Sequence, residues 1–110
     1  MIKGQRTFMI ELKHLRTLTT LRETGSLTAT ATSLHLTQSA LSHQIKELET
    51  RIGGALFLRK TRPVKFTSEG NILLRLADEI LPKLALVEND LAELKLFSLA
   101  TRLSFFWIFC

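Results

Sequence analysis

The sequence predicts a mainly α-helical chain: three short helices, a two-stranded β-wing, then one long helix. Three observations carry that prediction. Ahead of Gly53, apolar residues recur at helical spacing in three stretches, each bounded by a small polar residue or a glycine. Between Ala55 and Thr67, two short strand-like runs flank a basic tip that contains Pro63, the pattern of a hairpin. From Leu73 to Leu94, apolar residues alternate steps of four and three without a break, the pattern of a paired helix. A chain of 110 residues with 45% hydrophobic content has room for one small cored domain and an appendage.

Met1 to Phe8 reads as an unstructured lead, an extension ahead of a natural start at Met9. In the first helix, Leu12, Leu15, Leu18 and Leu21 form one stripe, and Gly25 supplies a left-handed stop. Ser26 caps a second helix, Leu27 to Leu34, whose Leu27, Ala31 and Leu34 face inward. Its small residues let it lie close to the helix that follows. His35 and Leu36 make the turn, with His35 on the surface and Leu36 buried at the corner.

Thr37 caps the third helix, which Gly53 and Gly54 end. Leu41, Ile45, Leu48 and Ile52 form its apolar back. Ser39, Ser42, His43, Lys46 and Thr50 form a polar front without a carboxylate, and Gln38 sits at the tip. Such a helix suits the major groove of DNA, where Ser, Gln, His and Lys meet phosphates or base-edge acceptors. An ordinary amphipathic surface helix has the same pattern.

The charges favour the first of these. Net charge is +5 with a pI near 9.9, which suits an anionic partner. Arg51, Arg59, Lys60, Arg62 and Lys65 fall in one stretch without an acidic residue. Asp78 to Glu93 holds five acidic residues against one Lys, so a basic working end adjoins an acidic stem. In the long helix, capped by Thr67 and running from Ser68 to about Lys95, the seam is Leu73, Ala77, Ile80, Leu84, Val87, Leu91 and Leu94. Ile72, Leu76, Leu81 and Leu86 widen it beyond what one small domain covers, which favours a dimer seam over packing on the chain's own domain. Pro82 removes one backbone bond away from the seam.

Leu36-Thr37-Gln38-Ser39-Ala40-Leu41-Ser42, then Gln44-Ile45, Leu48-Glu49, Gly53, Leu56-Phe57-Leu58-Arg59, Pro63 and Thr67-Ser68-Glu69-Gly70, resembles the LysR-type transcriptional regulators. The likeness runs from about Ile10 to Leu94. The stretches HLRTL, GSL, LTQSALSHQ and LFLRK narrow it to the methionine-biosynthesis branch of that family. The resemblance implies a winged helix-turn-helix over residues 9–67 and a linker helix over 68–95 that pairs two subunits. It implies double-stranded DNA as the partner, in the bacterial cytoplasm at the nucleoid. Gln38, Ser39 and His43 are then expected at base edges, and Thr37, Ser42, Gln44, Lys46, Arg59 and Lys65 at phosphates. Arg62 is expected in a minor groove flanking the site. Two departures stand out: Thr30 where the family usually has Ala, and Gly54 where it often has a larger residue.

Residues 96–110 do not follow the family, which continues into a large effector-binding domain. They hold five of the eight aromatic residues, are short for a membrane span and are interrupted by Arg102. The expectation is a product truncated or frameshifted ahead of the effector domain, with no small-molecule effector site; an interfacial anchor is the rival. A fragment of that kind could also act by forming mixed dimers with full-length regulators. His14, His35 and His43 lie on different elements, and no nucleophile–base pair, zinc pattern or glycine-rich phosphate loop is present in the sequence. No catalytic, metal or cofactor site is expected, and the single Cys110 leaves no intrachain disulfide.

Overall fold

In the computed structural model, residues 10–109 are described, with side chains through Leu99. The proposed extension at residues 1–8, and most of the tail's aromatic side chains, lie outside that range. The elements run α1 (Leu12–Thr24), α2 (Leu27–Ser33), α3 (Gln38–Ile52), β1 (Phe57–Leu58), β2 (Lys65–Phe66) and α4 (Ser68–Phe109). They divide into two units, Met1–Asp78 and Glu79–Cys110.

The helix ends follow the local chemistry. Gly25 ends α1 at φ 72° and donates its N–H to the Leu21 carbonyl at 2.8 Å. Gly53 ends α3 at φ 87° and donates to the Glu49 carbonyl at 2.8 Å. At the other ends, Ser26 Oγ accepts from Ala29 N at 3.3 Å and Thr37 Oγ1 from Ala40 N at 3.1 Å. Thr67 Oγ1 accepts from Gly70 N at 3.2 Å, opening α4 as expected.

The core of the first unit joins α1 (Leu15, Leu18, Leu21), α3 (Leu41, Ile45, Leu48), Leu56 with Phe57 of β1, and the start of α4 (Leu73, Leu74, Ala77), with Ala31 from α2. Leu12 was expected on the α1 stripe and is instead 42% exposed. Each step of three falls about 60° short of a full turn, so by Leu21 the stripe has swung to the far side of the helix from Leu12. His14 and Thr17 are buried in its stead. Leu27, Leu34 and Leu36, expected inside, are half-buried. Thr30, the departure in α2, is fully buried and satisfied. Its hydroxyl donates to the Ser26 carbonyl at 2.7 Å and lies 2.8 Å from the Thr24 hydroxyl.

The wing is antiparallel, with Phe57 opposite Phe66 and Leu58 opposite Lys65. Thr61 Oγ1 donates to the Leu58 carbonyl and accepts from Lys65 N, both at 3.1 Å, closing the loop. Val64 N donates to the Gly25 carbonyl at 3.3 Å, which ties the wing tip to the α1–α2 corner. Among the described glycines, Gly70 is the most closely approached. A Cβ there would stand 2.1 Å from the Leu56 carbonyl oxygen.

Two expectations about α4 need correction. It does not end near Lys95 but continues to Phe109, because no Gly or Pro follows Pro82 to stop it. Leu73 and Ala77 are 5% and 0% exposed, consumed by the core of their own unit, so neither is open to a partner. Further along, in the second unit, Ile80 and Leu84 are half-buried, while Val87, Leu91 and Leu94 are 53–64% exposed.

Candidate nucleic-acid interface

The apolar back of α3 anchors it, so its front must face solvent. Ser39, His43, Lys46 and Thr50 are all exposed there, and Ser42 is half-buried beside them. Thr37 stands at the tip, its hydroxyl oxygen accepting the cap bond. Gln38 is exposed, and its Nε2 donates to Thr28 Oγ1 of α2 at 2.6 Å. The helix carries carboxylates, but each has a cation. Glu47 pairs with Arg51 one turn on, and Arg51 also stands 4.0 Å from Glu11. The front therefore presents hydroxyls, an imidazole and an ammonium with no unpaired negative charge to repel an anion.

Glu49 does more than balance charge. Its Oε2 accepts from Leu56 N at 2.8 Å and its Oε1 from Arg59 Nη2 at 2.9 Å. With the side chain only 15% exposed, this carboxylate fastens the end of α3 to the wing. The Arg59 guanidinium also lies 5.2 Å over the Phe57 ring. Arg59, expected at a phosphate, is thus held in place and half outside. Arg62, Lys65 and Lys60 are exposed on the wing. A cleft of about 670 Å³ opens between α2, the start of α3 and the wing, with Thr28, Gln38, Ser42, Arg59 and Arg62 on its walls. A groove walled by donors and cations can take a polyanion.

Gln44 is half-buried, and its Oε1 accepts from the buried Thr17 hydroxyl at 2.6 Å, a bond that also ties α3 to α1. Sequence reasoning also missed Glu49, Thr28 and Thr17. Each acts through a contact seven or more residues away, which periodicity does not register. Among the described residues no group of three or more His, Cys, Asp or Glu could hold a metal ion, and no helix is long and apolar enough to cross a membrane.

The pattern that describes the bacterial regulatory helix-turn-helix proteins of the lysR family matches residues 12–71. The chain belongs to the LysR family. Residues 12–71 form its helix-turn-helix domain. This LysR-family chain is 60% identical over 76 residues to the HTH-type transcriptional regulator MetR of Buchnera aphidicola subsp. Schizaphis graminum, covering 69% of the chain and 24% of that relative. To MetR of Escherichia coli K12 it is 57% identical over 77 residues, covering 70% and 24%. The chain therefore spans about a quarter of the length of these curated relatives. Their identity agrees with the methionine-branch resemblance read from the sequence. Among solved structures, it resembles the protein of the BenM_DBD/benA site 1 DNA complex with a TM-score of 0.69 and 34% identity, covering 77% of this chain and 96% of that one.

Proposed function

We propose that the chain reads double-stranded DNA sequence-specifically as part of a bacterial LysR-type transcription regulator, acting in the cytoplasm at the nucleoid on methionine-pathway genes. The observation that carries this is the front of α3: exposed, polar, free of unpaired carboxylate and flanked by a basic wing. Ser39 and His43 meet base edges with Gln38 at the tip, while Thr37, Ser42, Lys46, Arg59 and Lys65 meet phosphates. Arg62 at the wing tip enters the flanking minor groove. Two chains pair through the second-unit stretch of the α4 stripe, from half-buried Ile80 and Leu84 to exposed Val87, Leu91 and Leu94. Their recognition helices then enter successive major grooves about 34 Å apart.

The test is duplex binding across a salt series, with a palindromic site taken from a MetR-regulated promoter and a scrambled duplex. A preference of about a hundredfold or more, falling steeply with salt, supports the reading. Equal, weak binding to both duplexes overturns it. The uncovered α4 stripe favours a second reading, in which the chain forms mixed dimers with full-length regulators and silences them. Co-purification with such a regulator, combined with no duplex preference of its own, would select that reading.

A further inference from the structure

We propose that Thr28 is a positioning residue for base readout: its hydroxyl holds the Gln38 amide in one orientation, and Gln38 so held selects adenine. The proposal rests on the DNA-binding reading above. Its basis is one bond between two exposed side chains on different helices, Gln38 Nε2 to Thr28 Oγ1 at 2.6 Å.

A glutamine amide has two N–H donors and one carbonyl acceptor. Left free, it rotates, exchanges its donor and acceptor ends, and loses much rotamer freedom when a base finally fixes it. Thr28 takes one N–H. What remains is one donor beside one acceptor. Adenine offers the complement in the major groove, an N7 acceptor and an N6 donor. Guanine offers two acceptors, N7 and O6, one of which would face the amide carbonyl. A fixed amide therefore discriminates between the purines, where a rotating one accommodates both.

The neighbouring polar groups do not compete for this amide. Thr37 Oγ1 is spent on Ala40 N at 3.1 Å, and Ser26 Oγ on Ala29 N at 3.3 Å. The Gln44 amide, the other glutamine of α3, is engaged by Thr17 at 2.6 Å. Thr28 is the second residue of α2 and stands on the wall of the same cleft as Gln38. The helix-turn-helix geometry thus places a hydroxyl where it can set the direction of the first side chain of α3.

The experiment uses the full chain with duplexes in which each base of the half-site is varied in turn. The proteins are the parent, Thr28→Val, Thr28→Ser, Gln38→Ala and the Thr28→Val/Gln38→Ala double variant. The parent should prefer adenine at one position by about tenfold, the yield of a good bidentate contact. Thr28→Val should lose most of that preference, bringing adenine and guanine at that position to near-equal affinity. Thr28→Ser should retain the preference, and Thr28→Val should add nothing in the Gln38→Ala background. A uniform loss across all duplexes, an equal effect of Thr28→Val with and without Gln38, or a parent preference for guanine there would overturn the assignment. The Gln38 side-chain amide is also followed by NMR without DNA. One N–H protected from solvent exchange in the parent and in Thr28→Ser, but not in Thr28→Val, is the expected result. Two freely exchanging protons in a parent that still reads its operator would sink the inference and leave the DNA-binding reading intact. A protected proton in a parent that prefers no duplex would sink both.

Discussion

Gly70→Ala sets two effects of opposite sign against each other. Gly70 lies inside the first turn of α4, where Ala is the better helix former by about 1 kcal/mol. Propensity alone predicts a more stable protein. The structure predicts the reverse. A Cβ at Gly70 would stand 2.1 Å from the Leu56 carbonyl oxygen, where ordinary carbon–oxygen contacts begin near about 3.3 Å. It would also meet Leu56 C and the Phe66 ring at 3.1 Å. The oxygen cannot easily retreat. It accepts from Thr67 N at 3.0 Å, Leu56 N is held by Glu49, and the Leu56 side chain is fully buried. Relief therefore needs the start of α4 to move away, which breaks the Thr67 bond at about 1–3 kcal/mol and disturbs packing at about 1–3 kcal/mol. Offset by about 1 kcal/mol of propensity, the net loss is about 3 kcal/mol. For a domain of this size that is about 12–24 °C in Tm. Thermal and urea unfolding followed by circular dichroism measure it. Gly54→Ala is the control, since its Cβ meets only the Glu69 side chain at 3.6 Å and its φ is not left-handed. It should change stability by no more than about 0.5–1 kcal/mol, and upward if at all. A Gly70→Ala protein as stable as its parent, or both variants shifting alike, would refute the reasoning.

Three further outcomes follow from other contacts. Glu49→Ala leaves Leu56 N without its acceptor and Arg59 without its partner; the first should cost about 1–3 kcal/mol and the second no more than about 1 kcal/mol, read as a lower urea midpoint. Burial lowers the pKa of His14 below its ordinary 6.5, and its Nδ1 already accepts from Glu11 N at 3.0 Å. The unfolded chain therefore takes up this proton first, so the contribution of His14 is complete above pH 6.5 and is lost as pH falls through the lower folded value. Unfolding across that window should show Tm declining on acidification, with a flatter profile in His14→Gln. Leu91→Lys, at a position 60% exposed, should leave the first unit folded yet yield monomers by sedimentation at micromolar concentration; persistent dimers would move the interface off this stripe.

Much of this fold is legible because its punctuation is chemical and local. Ser26, Thr37 and Thr67 cap with hydroxyls, and Gly25 and Gly53 take left-handed angles that other residues avoid. Such signals act within a few residues, so a linear reading catches them. The front of α3 is legible for the same reason, since its opposite face is apolar at helical spacing. What the sequence hides is which polar side chain is spent on another element. Gln44 has the composition of a phosphate contact, and the sequence does not show that its Oε1 also holds the buried hydroxyl of Thr17. Glu49 resembles any charge on a helix flank until Leu56 N and Arg59 are brought to its two oxygens. Leu12 misled because leucines three apart look like a stripe, although the helix turns under them.

The long helix shows the limit of periodicity most directly. Its apolar steps run unbroken from Leu73 to Leu94, and a heptad pattern states only that these residues share a face. It does not state what covers that face. At Leu73 and Ala77 the core of the first unit covers it, and exposure falls to 5% and 0%. At Val87, Leu91 and Leu94 nothing among the described residues covers it, and exposure is 53–64%. Polar substitution should therefore have different consequences along one stripe. At Leu73 it opens a cavity or buries a charge inside a small domain and should unfold it, at about 2–5 kcal/mol. At Leu91 it removes apolar surface that the lone chain leaves in water, so any loss must appear in association. A Leu73→Ala protein that folds normally, beside a Leu91→Ala protein that does not, would show that the division between core and partner face has been drawn the wrong way round.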